Sequence, residues 1–153
     1  MYPEPRVTSL IVQEFVPVRA HIKEQAALFG RFAARWTPSV IFLDANGREQ
    51  HRMEGFLTVE HFLGQLEMGV GLTAVGAKDW AKAERHFKTA FEKYPNTDAG
   101  PAGLYWAGVA RYSGSHDHHA LGETALAFEQ RYQDTSWAIR ASIWKPKENK
   151  AAA

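Results

Sequence analysis

An uninterrupted apolar run, Val40-Ile41-Phe42-Leu43, lies inside the stretch Arg35–Gly55, RWTPSVIFLDANGREQHRMEG, with Thr37-Pro38 before it and Asn46-Gly47 behind it. Successive side chains of a strand point to opposite faces, so four apolar residues in a row predict a strand over Ser39–Asp44 that is covered on both sides and central in its sheet. Asn46-Gly47 predicts a tight reversal, because both residues tolerate positive φ, and the chain then returns antiparallel over about Arg48–Glu54. Thr58 stands where a helix cap belongs, and Val59, Phe62, Leu63 and Leu66 after it form one stripe that fits against the sheet.

Upstream of this hairpin the pattern alternates helix and strand. Arg6–Phe15 carries Val7, Leu10, Ile11 and Glu14 at helical spacing, and Pro5 suits a first turn. Phe15–Ile22, FVPVRAHI, sets Val16, Val18, Ala20 and Ile22 against Pro17, Arg19 and His21, which predicts a strand with one buried face. Pro17 cannot donate to a ladder and places that strand at an edge or at its own start. A short helix over about Lys23–Ala34 follows. The expected order is helix, strand, helix, strand, hairpin, strand, helix.

The chain has 153 residues, 18 basic and 17 acidic, for a formal charge of +1, and 45% of it is hydrophobic. That is enough for a core. So small a net charge gives no footprint for a nucleic-acid partner. No apolar run reaches the roughly 20 residues of a membrane span, and MYPEPRV has neither the basic nor the apolar region of a signal peptide, so no membrane partner is expected and the cytoplasm is the default location. There is no cysteine. Disulfides, thiolate metal sites and a cysteine nucleophile are thereby excluded for this polypeptide.

Thr37-Pro38 directly before a buried strand, the Asp44-Ala45-Asn46-Gly47 turn, and Gly55-Phe56 before an amphipathic helix together resemble a thioredoxin-like domain, over Arg6 to about Gly69, entered partway through its first core helix. The resemblance implies that Thr37-Pro38 is a cis bond, that Pro38 is the family's cis-proline, and that Thr37, with Trp36 beside it, faces extended substrate. In that family the first core strand and a Cys-x-x-Cys motif lie upstream of the position of Tyr2-Pro3-Glu4-Pro5, where this sequence has only Met1. Without a thiolate pair there is no attacking and no resolving group. Three expectations stay open: a scaffold retained without its chemistry, a fragment, or a start placed too far downstream. The absent strand would sit between the predicted strands at Phe15–Ile22 and Ser39–Asp44. The expected repair is for these two to close up in parallel within one chain, giving a monomer in preference to a homodimer that exchanges edges.

From Glu67 onward the sequence reads as helix. Asp79–Tyr94 gathers Trp80, Ala83, Phe87, Ala90, Phe91 and Tyr94 on one face, and Pro95 ends it. Gly71 recurs as Gly108, Ala83 as Ala120, and Ala90-Phe91-Glu92 as Ala127-Phe128-Glu129, each after 37 residues. The spacing Gly71, Ala83, Phe87, Ala90, Pro95 resembles a tetratricopeptide repeat. A second, looser unit has Leu104, Ala107, Gly108, Ala120 and Ala127, with Thr124 in the aromatic's place and Tyr132 in the proline's. Ala99–Gly103, AGPAG, reads as an inter-helix loop and the most flexible joint. Thr135–Trp144 reads as a short terminal helix, and the tail after it as disordered.

His116, His118 and His119, with Asp117, are the metal-ligating residue types that cluster, but adjacent histidines in a Gly/Ser turn lack the i, i+4 geometry that puts two ligands on one helix face. Asp117 is instead placed to cap the next helix. His21, His51, His61 and His86 are dispersed and read as strand-face or surface residues. No phosphate loop and no nucleophile elbow occurs. Tyr105, Trp106, Tyr112, Trp137 and Trp144 read as core rather than as a peptide groove. The fold expected is α/β plus α: an incomplete thioredoxin-like sheet, βαββα after an initial helix, over residues 1–69, tetratricopeptide-like helical hairpins over 70–145, and a tail over 146–153. The function expected is a non-catalytic protein- or peptide-binding scaffold with no catalytic residue, no metal and no cofactor. The alternative is a fragment or mis-started form of a thiol-disulfide oxidoreductase whose Cys-x-x-Cys lies upstream of Met1.

Overall fold

A computed structural model describes residues 4–146. In chain order the elements are α1 (Pro5–Glu14), α2 (Ala26–Arg31), β1 (Ser39–Leu43), β2 (Glu49–Glu54), α3 (Val59–Gly76), α4 (Trp80–Lys93), α5 (Ala99–Ser115), α6 (His119–Gln130) and α7 (Ser136–Ala141), closed by a single 3-10 turn over Ser142–Trp144. Most of the expected tail, 147–153, lies outside the described residues, as do residues 1–3.

The hairpin forms where the sequence puts it. β1 and β2 pair antiparallel, Ser39 opposite Glu54 and Phe42 opposite His51, and the register slips by one residue between Phe42 and Leu43. The turn is Asp44-Ala45-Asn46-Gly47: the Gly47 amide donates to the Asp44 carbonyl at 2.9 Å, and the Asp44 carboxylate accepts from the amides of Asn46 and Arg48. Of the Asn-Gly pair only Gly47 takes positive φ, at 74°. Those amide bonds, led by that from Arg48, hold the Asp44 carboxyl below its ordinary pKa.

Four expectations for the first half of the chain are overturned. Phe15–Ile22 is not a strand. Val16, Val18 and Ile22 are 91%, 81% and 44% exposed: among the described residues the segment pairs with no strand, and Pro17 withdraws a donor. The parallel closure onto β1 within the chain is therefore absent, and among the described residues the sheet has two strands. The helix expected over 23–34 shrinks to the six residues of α2, none of them buried, since without a face against the core a helix that short has little to hold more turns. β1 is not a central strand: only Phe42 in it is buried, against the face covered by α3.

α3 carries the chain from the hairpin into the helical half without a break at 69–70. Phe62, Leu63 and Leu66 meet Val7, Phe42 and Met53 in one core, while Met68 and Ala74 belong to a second with Ala83, Phe87, Ala90 and Ala99. α3 packs on α4, α4 on α5, and α5 on α6. The 37-residue spacing has a physical counterpart. A Cβ on Gly71 would lie 2.4 Å from the Phe87 ring, and a Cβ on Gly108 would lie 2.2 Å from the Thr124 hydroxyl, so each glycine admits the side chain sixteen positions later on the following helix. Caps agree with the residue types: the Asp79 side chain accepts from the Lys82 amide, the Thr135 side chain from the Ala138 amide, and the Asp117 side chain from the His119 amide.

Ala99–Gly103 is not a loop. It is the first turn of α5 and is buried throughout. Pro101 is tolerated there because the first-turn amides have no intrahelical partner to lose. Gly100 and Gly103 let the backbone press against the carbonyls of Pro95 and Phe87, 2.5 and 2.7 Å from where a Cβ would stand. The aromatic residues divide. Tyr105 stacks on Trp144 at 4.6 Å between ring centres and meets Trp106 and Trp137, whereas Tyr112 packs on His118 at the far end of α5.

Candidate functional site

Thr37 and Pro38 enter β1 from an exposed loop. Their peptide bond is cis, and both side chains are exposed, with Trp36 before them at 69%. Two hydrogen bonds fix the entry: the Ser39 hydroxyl donates to the Trp36 carbonyl at 2.6 Å, and the Gly55 amide donates to the Pro38 carbonyl at 2.8 Å. Gly55 holds φ at 88°, a conformation that glycine adopts without steric cost. Arg52 of β2 ties the preceding loop to the hairpin, donating to the Phe32 carbonyl at 2.5 Å and the Ala33 carbonyl at 3.4 Å while paired with Glu49 at 2.7 Å. That pairing raises the Arg52 guanidinium and lowers the Glu49 carboxyl from their ordinary values.

Beside this corner β1 has β2 on one side and, among the described residues, no strand on the other. In an antiparallel strand alternate residues direct their amides and carbonyls to the outer edge, so Ser39, Ile41 and Leu43, which alternate with the β2-directed Val40 and Phe42, offer backbone groups there. The corner thus presents an indole, a hydroxyl, a proline ring and an unpaired strand edge. None of these is a general acid, a general base or an activated nucleophile.

Chemistry-bearing residues elsewhere are placed as follows. His116 takes left-handed φ at the end of α5, and His116, His118 and His119 are all exposed. Among the described residues no group of three or more His, Cys, Asp or Glu is arranged to hold a metal ion. His51 faces Gln65 at 2.7 Å beside Phe42, and burial lowers its pKa. His61 bonds Thr58, whose hydroxyl therefore does not cap α3 as expected. His21 is exposed. His86, read from sequence as dispersed, is buried against Glu67 of α3 and near Glu14 of α1. No spacing in the sequence signals that cluster, since Glu14, Glu67 and His86 come from three separate helices. Glu67 also lines an open cleft of about 570 Å³ with Arg6, Leu10, Glu60, Lys93 and Tyr94.

Residues 4–69 match the family model of the thioredoxin-like domain. No curated protein and no solved structure matches the chain. The matched segment, less than half of the chain, takes in α1, α2, the hairpin and the first part of α3, and contains no cysteine. The rest is helical, and no helix among the described residues is long and apolar enough to cross a membrane.

Proposed function

We propose that this chain is a non-catalytic, protein-binding module in which the thioredoxin-like segment receives an extended partner at Trp36, Thr37 and Pro38, on a platform of tetratricopeptide-like helix pairs. The observation that carries the reading is the combination at one corner of an exposed indole, a fixed Thr-Pro turn and an open strand edge, in a chain with no thiol. An extended peptide laid along the outer edge of β1 gains main-chain hydrogen bonds from the strand and side-chain contact from Trp36. The repeating glycine-to-partner contacts, Gly71 with Phe87 and Gly108 with Thr124, favour the repeat-like description of the platform.

Selection from a displayed library of random unstructured peptides tests this. Binders should shift the fluorescence of Trp36 and lose about tenfold or more in affinity with Trp36→Ala, a change at an exposed side chain that leaves the fold intact. Binders indifferent to both Trp36→Ala and Thr37→Tyr would refute the site. The same protein should leave dithiol-driven reduction of a protein disulfide at the blank rate, and any clear acceleration would refute the non-catalytic assignment. One pair of observations favours a second reading, a portion of a thiol-disulfide oxidoreductase: among the described residues β1 pairs on one side alone, and Val16 and Val18 stand exposed, as they would if a further strand belonged to the sheet. A longer polypeptide carrying an upstream Cys-x-x-Cys segment, active in disulfide reduction and with Val16 and Val18 protected from solvent, would decide for it.

A further inference from the structure

His86 lies between two carboxylates with one ring nitrogen unsatisfied. Its Nδ1 is 2.7 Å from Glu67 Oε2 on α3, and its Nε2 is 3.9 Å from Glu14 Oε1 at the end of α1. That Nε2 has no hydrogen-bond partner among the described residues, although the His86 side chain is only 9% exposed. The other Glu14 oxygen takes Lys82 Nζ at 2.8 Å. Arg85 also acts on Glu14, Tyr94 feels the charge of Glu67, and Lys93 stands with Glu67 on the wall of the cleft.

With its proton on Nδ1, a neutral ring donates to Glu67 and aims the Nε2 lone pair toward a second carboxylate, which repels it. A proton added to Nε2 turns the same atom into a donor, and the gap to Glu14 closes to hydrogen-bonding distance with a small rotation of either side chain. We propose that His86 is a protonation-controlled clasp: protonated, it bridges Glu14 and Glu67 and fastens α1 to the α3–α4 pair, and deprotonated, it leaves Glu14 to Lys82 and loosens the end of α1. The sign follows from the partner gained on protonation. The clasp is closed in acid and open in base. Phe15 follows Glu14 directly, and its ring packs edge-on against Phe42 of β1 at 5.4 Å between centres, so loosening α1 also loosens the support beneath the hairpin.

Amide hydrogen exchange of the full chain at about pH 5.5 and about pH 8, corrected for intrinsic exchange, reads the clasp directly. Amides of Val7–Phe15 should be about tenfold more protected in acid, the size expected of one charged, partly buried hydrogen bond, while those of α5 stay unchanged. His86→Gln and Glu14→Gln should both flatten this dependence, and Lys82→Met, which keeps Glu14 and His86, should retain it. If His86→Gln does not fold, Glu14→Gln still decides, since Glu14 stands at the very end of α1 and its change spares the His86–Glu67 bond. Equal protection of α1 at the two pH values in the unaltered chain, or a pH dependence that survives Glu14→Gln, would overturn the proposal.

Discussion

Gly71 is the position where a single methyl group should do the most damage for its size. Its Cβ would stand 2.4, 2.6 and 2.8 Å from three atoms of the Phe87 ring, whereas carbon atoms pack favourably at about 3.5–4.0 Å. The overlap is therefore about an ångström across one edge of the ring. Phe87 is 0% exposed and hemmed in by Ala83, Ala90 and Trp106, so the ring cannot swing aside and α3 has to move off α4. Overpacking of a close-packed core costs about 1–3 kcal/mol, and a buried ring with nowhere to go belongs at the upper end. Replacing glycine by alanine inside a helix returns about 1 kcal/mol. Gly71→Ala should then destabilise the chain by about 2 kcal/mol net, lowering the midpoint of thermal unfolding by about 4–8 °C for a chain of this length. Phe87→Ala alone should cost about 3–5 kcal/mol through lost burial and the cavity left behind. The decisive quantity is the double variant. With the ring gone, the new methyl group has room and partly fills the hole, so the two changes together should cost less than their sum by about 1–3 kcal/mol in urea denaturation. Gly30→Ala in α2, where no atom lies within 4 Å of the added carbon, is the control and should be neutral or slightly stabilising. Additive costs at Gly71 and Phe87 would refute the close approach of α3 and α4 on which the reasoning rests.

Two further outcomes follow from the polar contacts. Arg52→Ala removes the donor that holds the Phe32 and Ala33 carbonyls against β2, so exchange protection over 26–35 should fall while α4 and α5 keep theirs; unchanged protection there would show that Phe29 and Phe32 alone hold the loop. Lys82 holds the Glu14 carboxyl below its ordinary value of 4.5 chiefly by a hydrogen bond, so the stability it contributes is present above that value and lost as pH falls through the lowered one. The stability gap between the unaltered chain and Lys82→Met, measured by denaturant at about pH 6 and about pH 3, should therefore narrow in acid, and a constant gap would refute the pairing.

Local chemistry was legible in the sequence wherever one segment settles its own conformation. Gly47 makes the turn because the turn needs positive φ there, the Asp117 carboxylate accepts from the His119 amide at the start of α6, and the stripe through Phe62, Leu63 and Leu66 is buried because helical spacing gathers it on one face, although the expected cap at Thr58 does not form. The spacing of Gly71 from Phe87, and of Gly108 from Thr124, also stood in the sequence, since a repeated helix pair brings residues sixteen apart together twice. The candidate corner was visible only as Trp36-Thr37-Pro38, and its open edge was not. A strand pattern such as Val16, Ala20 and Ile22 states which face would be buried if a neighbour existed, but hydrogen bonds to that neighbour have to come from elsewhere in the fold, and among the described residues no strand pairs with it. The same limit hid Ala99–Gly103, where glycine and proline read as a loop although the surfaces of α4 and Tyr132 require a helix turn with glycine at its two closest approaches. It hid the His86 cluster as well. The sequence determined which residues can turn, cap or cover, because those properties belong to neighbours along the chain; burial, strand pairing and the meeting of Glu14, Glu67 and His86 were decided by packing among segments that sequence distance does not order.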